Sequence, residues 1–513
     1  MALGIIVRRL SSQPWTCLSD LSSVDYIDAM LKQKATRAIG WSAVDQIVRQ
    51  GLFFVISVTM ARLVTPEAYG IVALLGLFTG IAGVFVDGGL SSALIQKNDT
   101  TLTDESTVFW FNLAVGSIMG VALFLAAPLI SRFYGIAVLL PITRIYAAQF
   151  FLGACNSVQN TLFSKHLDFK TPLKISFVST VLSAAIGIFL AWKGYGVWAL
   201  VAQSMTAALL QATLLWALSP WRPAFTFSAE SYRTLFRFGG YLFISYLIDT
   251  FYQKCYTLII GKCYGVYDLG IYNRANSTNQ LPTGVLAGIL ERVTFPIFSQ
   301  ASYDSAFLRR GCRMSVRGTM FLNIPMMLGV VVVAEPLILT LFGPAWAPAI
   351  PLLRILALSG ILFPLHVINL SVLKAMGYSS KFLKIELVKK IIGIALIMLG
   401  AYFGIQGMAW AVVLSSLFSF VFNAYYTGKL LGYGSFQQSR DCLPALSCGI
   451  IMAVMVSACD HAMSGPPALR LVILSSGGAI TFMLIASLLR IPELAEAISL
   501  IKKHVHIRRP NTL

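Results

Sequence analysis

Polar and charged side chains recur along one face of predicted apolar helices, where they could bind an anionic or strongly hydrogen-bonding ligand. The first apolar segment holds a set of such residues at helical spacing: Asp45, Gln46, Arg49 and Gln50. A charged group at the centre of a membrane costs about 2.5–3.5 kcal/mol to insert. We therefore expect this face to contact protein or a water-filled cavity rather than lipid.

A second polar face lies about 200 residues later, and further charged residues interrupt other apolar segments. We predict a substrate cavity lined by Gln46, Arg49, Gln50, Gln253, Lys254, Asn276, Arg292 and Arg354. The acids Asp45, Asp249 and Glu291 are predicted to act in gating or in binding a coupling ion. Asp45 could instead pair with Arg49 within its own helix.

The sequence does not show the residue patterns of a catalytic or metal centre. Its eight cysteines are scattered without a CxxC pair, and its five histidines lack ligand spacing. We find no nucleophile elbow and no phosphate-binding loop. The sequence therefore predicts a protein that is not an enzyme and that uses no metal and no cofactor.

The composition predicts an integral membrane protein. The chain has 513 residues, of which 57% are hydrophobic and only 12% are charged. Soluble domains carry about 25% charged residues, so too little charge is present to cover a globular surface. The formal net charge of +18 resides in loops between apolar segments, which marks a cytoplasmic face and argues against a nucleic-acid partner.

The hydropathy pattern predicts an all-α polytopic protein of about 14 transmembrane helices, each with roughly 20 apolar residues. The spans fall near 39–61, 69–95, 108–130, 136–162, 173–192, 195–217, 238–260, 275–299, 314–333, 352–373, 383–403, 407–428, 442–459 and 469–489. Most of the 39 Lys and Arg residues then lie on one side, which predicts that both termini are cytoplasmic. The predicted outer loops hold Arg62, Arg132, Lys193, Lys262, Arg274 and Arg470.

A shift of 200 residues aligns the first predicted helix pair with the seventh and eighth. It matches Gly40 with Gly240 and Gly70 with Gly270. Six spans separate equivalent points, so we expect two six-helix lobes related by a pseudo-two-fold axis along the membrane normal. The predicted units are a cytoplasmic tail 1–38 (with Met30 as a candidate initiator, so that 1–29 would not be translated), an N-lobe 39–218, a cytoplasmic linker 219–237, a C-lobe 238–430, two further helices 431–490 and a basic cytoplasmic tail 491–513.

Several strings, taken in this order, resemble the polysaccharide transporter family. They are Leu63 to Ile71, Gly194 to Val201, Ile259 to Lys262, Leu269 to Ala275, Val293 to Pro296 and Trp346 to Leu358. That family includes the O-antigen and colanic-acid-type flippases of the multidrug/oligosaccharidyl-lipid/polysaccharide exporter superfamily. Family members often carry an acidic residue five positions before the glycine that corresponds to Gly261. This chain has Tyr256 at that position.

The resemblance implies a flippase in a bacterial inner membrane that moves polyprenyl-pyrophosphate-linked oligosaccharide repeat units for lipopolysaccharide or exopolysaccharide synthesis. Its partners would be the lipid-linked substrate, membrane lipids and the polysaccharide assembly machinery. Cationic residues in a cleft suit a pyrophosphate head group, and rocking of two lobes provides alternating access. The alternatives are a cation-coupled drug exporter of the same superfamily and a polytopic polymerase or ligase, although the predicted outer loops are short for the latter.

Overall fold

The computed structural model describes residues 50–97, 99–166, 168–300 and 304–495, and these ranges fold almost entirely into α-helices without a strand. The helices in chain order are α1 (Gln50–Leu63), α2 (Pro66–Asp87), α3 (Leu90–Gln96), α4 (Leu102–Tyr134), α5 (Leu139–Lys165), α6 (Lys170–Trp192), α7 (Val197–Leu218), α8 (Ala229–Cys263), α9 (Val266–Gln300), α10 (Ser305–Leu341), α11 (Ala349–Ile361), α12 (Phe363–Ala375), α13 (Ser379–Gly400), α14 (Gly404–Leu431), α15 (Ser435–Ala462) and α16 (Pro467–Leu488). Short 3-10 turns occupy Pro344–Trp346 and Ala401–Phe403. Residues 1–49, with Met30 and the candidate site residues Asp45, Gln46 and Arg49, and residues 496–513 lie outside the described residues.

The chain is a multi-pass membrane protein. Within the described residues, nine helical stretches are long and apolar enough to cross a membrane. Three of them join consecutive helices: Pro66–Gln96 joins α2 and α3, Ala349–Ala375 joins α11 and α12, and Lys381–Leu431 joins most of α13 to α14. Each predicted span overlaps a helix. Large apolar side chains such as Ile118, Leu125 and Val472 lie exposed on the helices, as expected of surfaces that face lipid.

The long helices that do not reach this apolar threshold include α8 and α9. Each has 35 residues, which exceeds the roughly 20 needed to cross the hydrocarbon. Their lower hydropathy comes from polar residues on one face, including Gln253, Asn276 and Gln280. Lipid offers these groups no hydrogen bonds. The polar faces of α8 and α9 must therefore face protein or a polar cavity inside the fold.

Helices α2 and α9 cross in close contact at Gly70 and Gly270. A Cβ added to Gly70 would overlap the carbonyl of Val266, and one added to Gly270 would overlap the carbonyl of Pro66. Only glycine allows the two backbones to approach this closely. A core of buried residues surrounds the crossing, including Leu74 of α2, Leu269 of α9 and the fully buried Trp346.

The connection between α7 and α8 is bound to the start of α4. The Ala224 backbone N–H donates to Ser106 Oγ at 2.9 Å, and Trp110 Nε1 donates to the Ala224 carbonyl at 2.9 Å. The Ser228 side chain then caps α8, which begins at Ala229. The predicted linker 219–237 is therefore helical over its second half, because an N-cap serine starts the helix before the apolar run begins.

The last two helices, α15 and α16, pack against α10. Phe321 of α10 and Phe482 of α16 lie in one buried cluster with ring centroids 5.1 Å apart. Arg313 of α10 forms a bidentate ion pair with Asp441 of α15, with both N–O distances 2.7 Å. This packing attaches α15 and α16 to the helices that follow α8, outside the polar space described next.

Candidate functional site: a polar cavity between α2, α8 and α9

A cavity of about 930 Å³ lies between α1 and α2 on one side and α8, α9 and α11–α14 on the other. Its charged and titratable lining residues in the described part of the chain, apart from tyrosine, are Lys254, Arg274, His366, Glu386 and Lys389. Amides and hydroxyls also line it: Ser57, Tyr69, Tyr252, Gln253, Tyr256, Thr257, Tyr272, Asn273, Asn276, Ser277, Asn279, Gln280, Thr283, Ser359, Ser415, Ser416 and Ser419. The cavity therefore carries more positive than negative charge and many hydrogen-bonding groups.

Lys254 is the cavity cation most available to a ligand. It lies on α8 beside Gly76 and Gly80 of α2, and the missing side chains there leave room for its ammonium arm. Among the described residues it has neither an ion pair nor a hydrogen bond, unlike the other cavity cations. A half-buried ammonium without an anion favours a negatively charged guest.

Arg274 is held in a cage of aromatic rings. Its guanidinium carbon lies 4.5 Å from the ring centroid of Tyr69, 4.6 Å from that of Phe342 and 4.8 Å from that of Trp346. Its Nη1 donates to Ser57 Oγ at 2.7 Å, while its buried Nε has no hydrogen-bond partner within the described part of the chain. Cation–π contacts of this kind stabilise a buried charge by about 2 kcal/mol when desolvated.

The end of the cavity next to Arg274 is closed by contacts of α1 with the last residues of α10 and with the 3-10 turn that follows it. Trp346 Nε1 donates to the carbonyl of Ala61 at 2.7 Å. Arg62 Nε donates to the carbonyl of Leu341 at 2.8 Å, and its Nη2 donates to the carbonyl of Thr340. Together with the Gly70–Gly270 crossing, these contacts form what we call the closed end.

On the opposite wall, Lys389 pairs with Glu386 one turn earlier on α13. His366 of α12 contributes Nε2 to a 2.9 Å hydrogen bond with Ser416 Oγ, and its Nδ1 lies 3.4 Å from Asn423 Nδ2. Tyr256 and Tyr272 stack with ring centroids 6.1 Å apart and planes 9° apart. Flat phenol rings and amides next to cations can contact both sugar faces and hydroxyl groups.

The structure brings three of the predicted cavity residues together. Gln253, Lys254 and Asn276 all line the cavity. Gln50 begins the described part of α1 and is exposed, away from the lining. Arg292 and Glu291 lie on α9, but their side chains are outside the described residues. The role of these residues in binding substrate or in gating stays a prediction.

Two predicted residues lie elsewhere. Arg354 lines a separate cavity of about 460 Å³ between α10, α11, α15 and α16, where it lies 3.8 Å from Glu335. It points away from the main cavity because α11 turns its other face to α9. Asp249 forms an ion pair with Lys390 of α13 and does not line the cavity.

Sequence reasoning missed Arg274 and Lys389. The prediction placed Arg274 in an outer loop, whereas it lies in α9, which starts at Val266, with only 5% of its surface exposed. Lys389 falls within the predicted span 383–403, and the prediction gave it no role in the cavity. A signal for Arg274 was present in the sequence. The polar residues Asn273, Asn276, Ser277 and Gln280 recur at helical spacing on both sides of Arg274, which places this arginine within a helix.

Comparison with known proteins gives a consistent family. Residues 59–351 match the model of a family described as polysaccharide biosynthesis protein. The chain is 30% identical to the succinoglycan biosynthesis transport protein ExoT of Rhizobium meliloti (strain 1021), over 82% of this chain and 86% of that protein. It is also 30% identical to the teichuronic acid biosynthesis protein TuaB of Bacillus subtilis (strain 168), over 79% of this chain and 85% of that protein.

The fold resembles that of a solved transporter. The structure of the lipid II flippase MurJ in an inward closed conformation superposes with a TM-score of 0.74 and 14% identity, covering 88% of this chain and 98% of that one. At this identity the likeness concerns the fold. The predicted family resemblance is confirmed by the family match and the two relatives: this chain belongs to the polysaccharide biosynthesis protein family and is a multi-pass membrane transporter.

Proposed function

We propose that this protein is a flippase for polyprenyl-pyrophosphate-linked oligosaccharide repeat units, which it moves across a bacterial inner membrane by alternating access. The observation that carries the proposal is the polar cavity in which Lys254 has no anionic partner among the described residues. A pyrophosphate supplies the missing negative charge, and the sugar hydroxyls can bond to the amides and tyrosines around it. The polyprenyl tail would stay in lipid beside the cavity.

The proposed topology has fourteen transmembrane helices in two six-helix lobes, followed by α15 and α16. The crossing of α2 and α9 supports the pseudo-two-fold axis, because its contacts are reciprocal. Gly70 approaches Val266, and Gly270 approaches Pro66, so both contacts exchange under a shift of 200 residues. In an isologous interface, each contact between two residues is repeated by a contact between the symmetry equivalents of those residues, and these two contacts follow that pattern.

The proposed orientation places both termini in the cytoplasm and the closed end at the outer face. The distribution of Lys and Arg supports this orientation. The cavity would then take its lipid-linked substrate from the cytoplasmic leaflet.

The names of the relatives support a place in polysaccharide export, since ExoT is called a transport protein and TuaB a biosynthesis protein. Contact with polysaccharide assembly machinery is part of the same proposal.

The other functions fit the cavity less well. A drug exporter for cationic compounds would favour an acidic cavity, whereas Glu386 is the only Asp or Glu in the described lining and pairs with Lys389. A polymerase or ligase would need catalytic groups held over the outer face. The described segments on the side of the closed end, such as residues 343–348, are short and packed into the fold.

The test is deletion of the gene in its native bacterium, followed by extraction of lipid-linked sugars and digestion of intact spheroplasts with an impermeant glycosidase. We expect completed repeat units to accumulate where the enzyme cannot reach them, in the cytoplasmic leaflet. Unpolymerised repeat units exposed to the enzyme would instead indicate a polymerase. Unchanged lipid-linked sugars would remove the flippase proposal.

A further inference from the structure

We propose that the second cavity, between α10, α11, α15 and α16, binds the head group of a zwitterionic phospholipid that carries a phosphate and a primary ammonium. The cavity has a volume of about 460 Å³. Apart from a histidine, its titratable lining residues in the described part of the chain are Glu335, Arg354, Asp460 and Arg470. Two guanidiniums and two carboxylates give it no net charge, so it suits a guest that carries one charge of each sign.

The four charged side chains form one connected series of contacts. Arg470 donates to Asp460 Oδ1 twice, from Nη2 at 2.7 Å and from Nε at 3.0 Å. The Glu335 carboxylate lies further from its cationic neighbours, with Oε1 3.7 Å from Arg470 Nη1 and Oε2 3.8 Å from Arg354 Nη2. Both distances exceed the roughly 3.2 Å of an N–H···O hydrogen bond. Asp460 therefore fixes Arg470, whereas Glu335 and Arg354 keep hydrogen-bonding capacity for a guest.

Arg354 and Glu335 are the two groups that would bind the head group. Their side chains are 45% and 40% exposed, and neither makes a hydrogen bond to another described residue. A guanidinium binds a phosphate through paired N–H donors, and a carboxylate accepts hydrogen bonds from an ammonium. Opposite charges 3.8 Å apart suit a head group in which two carbons join the phosphate to the ammonium. A purely anionic head group would satisfy Arg354 but would be repelled by Glu335.

The cavity lies at the depth of lipid head groups. The charged lining residues of α10 and α11 are within about 10 Å of the end of α10 and the start of α11, which are next to the closed end. One helical turn deeper than Arg470 of α16 is the exposed Ile473, and one turn deeper than Ser457 of α15 is the exposed Val454. Acyl chains can lie against these apolar residues. Placing the lipid in the outer leaflet rests on the proposed orientation, whereas the site does not.

The test measures the thermal unfolding midpoint of the full-length protein in detergent. Residues of four helices line the cavity, so a bound lipid should stabilise the folded state. The protein is titrated with phosphatidylethanolamine, phosphatidylcholine or phosphatidylglycerol of identical acyl chains. We expect the ethanolamine lipid to raise the midpoint most, because the choline ammonium has no N–H to donate to Glu335 and the glycerol head group has no cation. An equal rise with either other lipid would overturn the proposal.

Water-soluble glycerophosphoethanolamine distinguishes a lipid from a free head group. We expect it to leave the midpoint unchanged at the concentrations at which the lipid acts, because it lacks the acyl chains. A rise equal to that of the lipid would overturn the assignment to a phospholipid.

Glu335→Gln and Arg354→Gln each remove one charge from the cavity. In both variants we expect the advantage of the ethanolamine lipid over the choline lipid to be lost, or the half-maximal lipid concentration to rise at least tenfold. A merely structural ion pair predicts instead that each variant lowers the midpoint equally in all three lipids, and that result overturns the proposal. The matched control is Arg132→Gln, which removes an exposed arginine of α4 and should retain the advantage.

Ser457→Leu tests the same cavity if neither charge variant folds, because it fills space without removing a charge. An unchanged advantage of the ethanolamine lipid in that variant overturns the proposal as well. Because no substrate is present in these titrations, a negative result removes the lipid site alone, whereas unchanged lipid-linked sugars in the deletion strain would remove the flippase.

Discussion

Replacing Gly270 by alanine should open the closed end. The added Cβ would overlap the Pro66 carbonyl, and real Cβ atoms essentially never come within 3.0 Å of such an atom. Separating the backbones by about 1 Å relieves the overlap but breaks the packing, at a cost of about 1–3 kcal/mol for an overpacked contact. Only the conformation with this end closed bears that cost.

The matched control is Gly284→Ala on the same helix, where an added Cβ meets nothing within 4 Å. Both variants gain about 0.5–1 kcal/mol of helix stability over glycine, and this gain is common to the open and closed conformations. The difference between the variants therefore isolates the crossing. A cost of about 1–3 kcal/mol corresponds to a shift of about 5- to 150-fold toward the open conformation.

The assay is electron–electron distance measurement between spin labels at Arg132 and Tyr402, in protein whose native cysteines are replaced. Both sites are exposed, and they lie beside Phe133 and Ala401, whose carbonyls accept hydrogen bonds from Lys262 and Tyr264 near the closed end. We expect longer distances in Gly270→Ala and wild-type distances in Gly284→Ala. Identical distributions in the two variants would refute the view that this crossing holds the end closed.

Three further variants test the cavity and its closure. Lys254→Met should lower polysaccharide export about tenfold or more, because a charge-assisted contact of about 1.5–3 kcal/mol is lost; Lys429→Met, at an exposed lysine, should export normally, and equal export by both would exclude Lys254 from binding. Trp346→Phe should lower the free energy of unfolding by about 1 kcal/mol, because it loses the hydrogen bond to Ala61. Its control is Trp192→Phe at an exposed indole, and equal unfolding midpoints would contradict the assignment. Arg49→Ala should impair export while the protein inserts normally, and full export by that variant would remove Arg49 from the mechanism.

Hydropathy predicted the helices well because lipid imposes the same requirement on every span: about 20 apolar residues with their backbone groups bonded within the helix. Helical spacing was also enough to group Gln253, Lys254 and Asn276 on faces that meet at one cavity. These properties depend on residues close together in the sequence, so a single chain reveals them.

The misplaced residues depend on contacts between distant segments. Arg274 was assigned to a loop because a positive residue near a span end usually marks a loop, yet rings from α2 and from the segment after α10 surround it. Arg354 was assigned to the main cavity, although its pairing with Glu335 depends on how α11 rotates against α10.

The aromatic surroundings of Arg274 make its contribution to the closed end insensitive to acid. A carboxylate partner would accept a proton in an acidic medium and release the arginine, whereas the rings of Phe342 and Trp346 have no proton to gain. Being buried, the guanidinium is also poorly screened by dissolved salt. The contact between Arg274 and these rings would therefore persist over a wide range of pH and salt concentration.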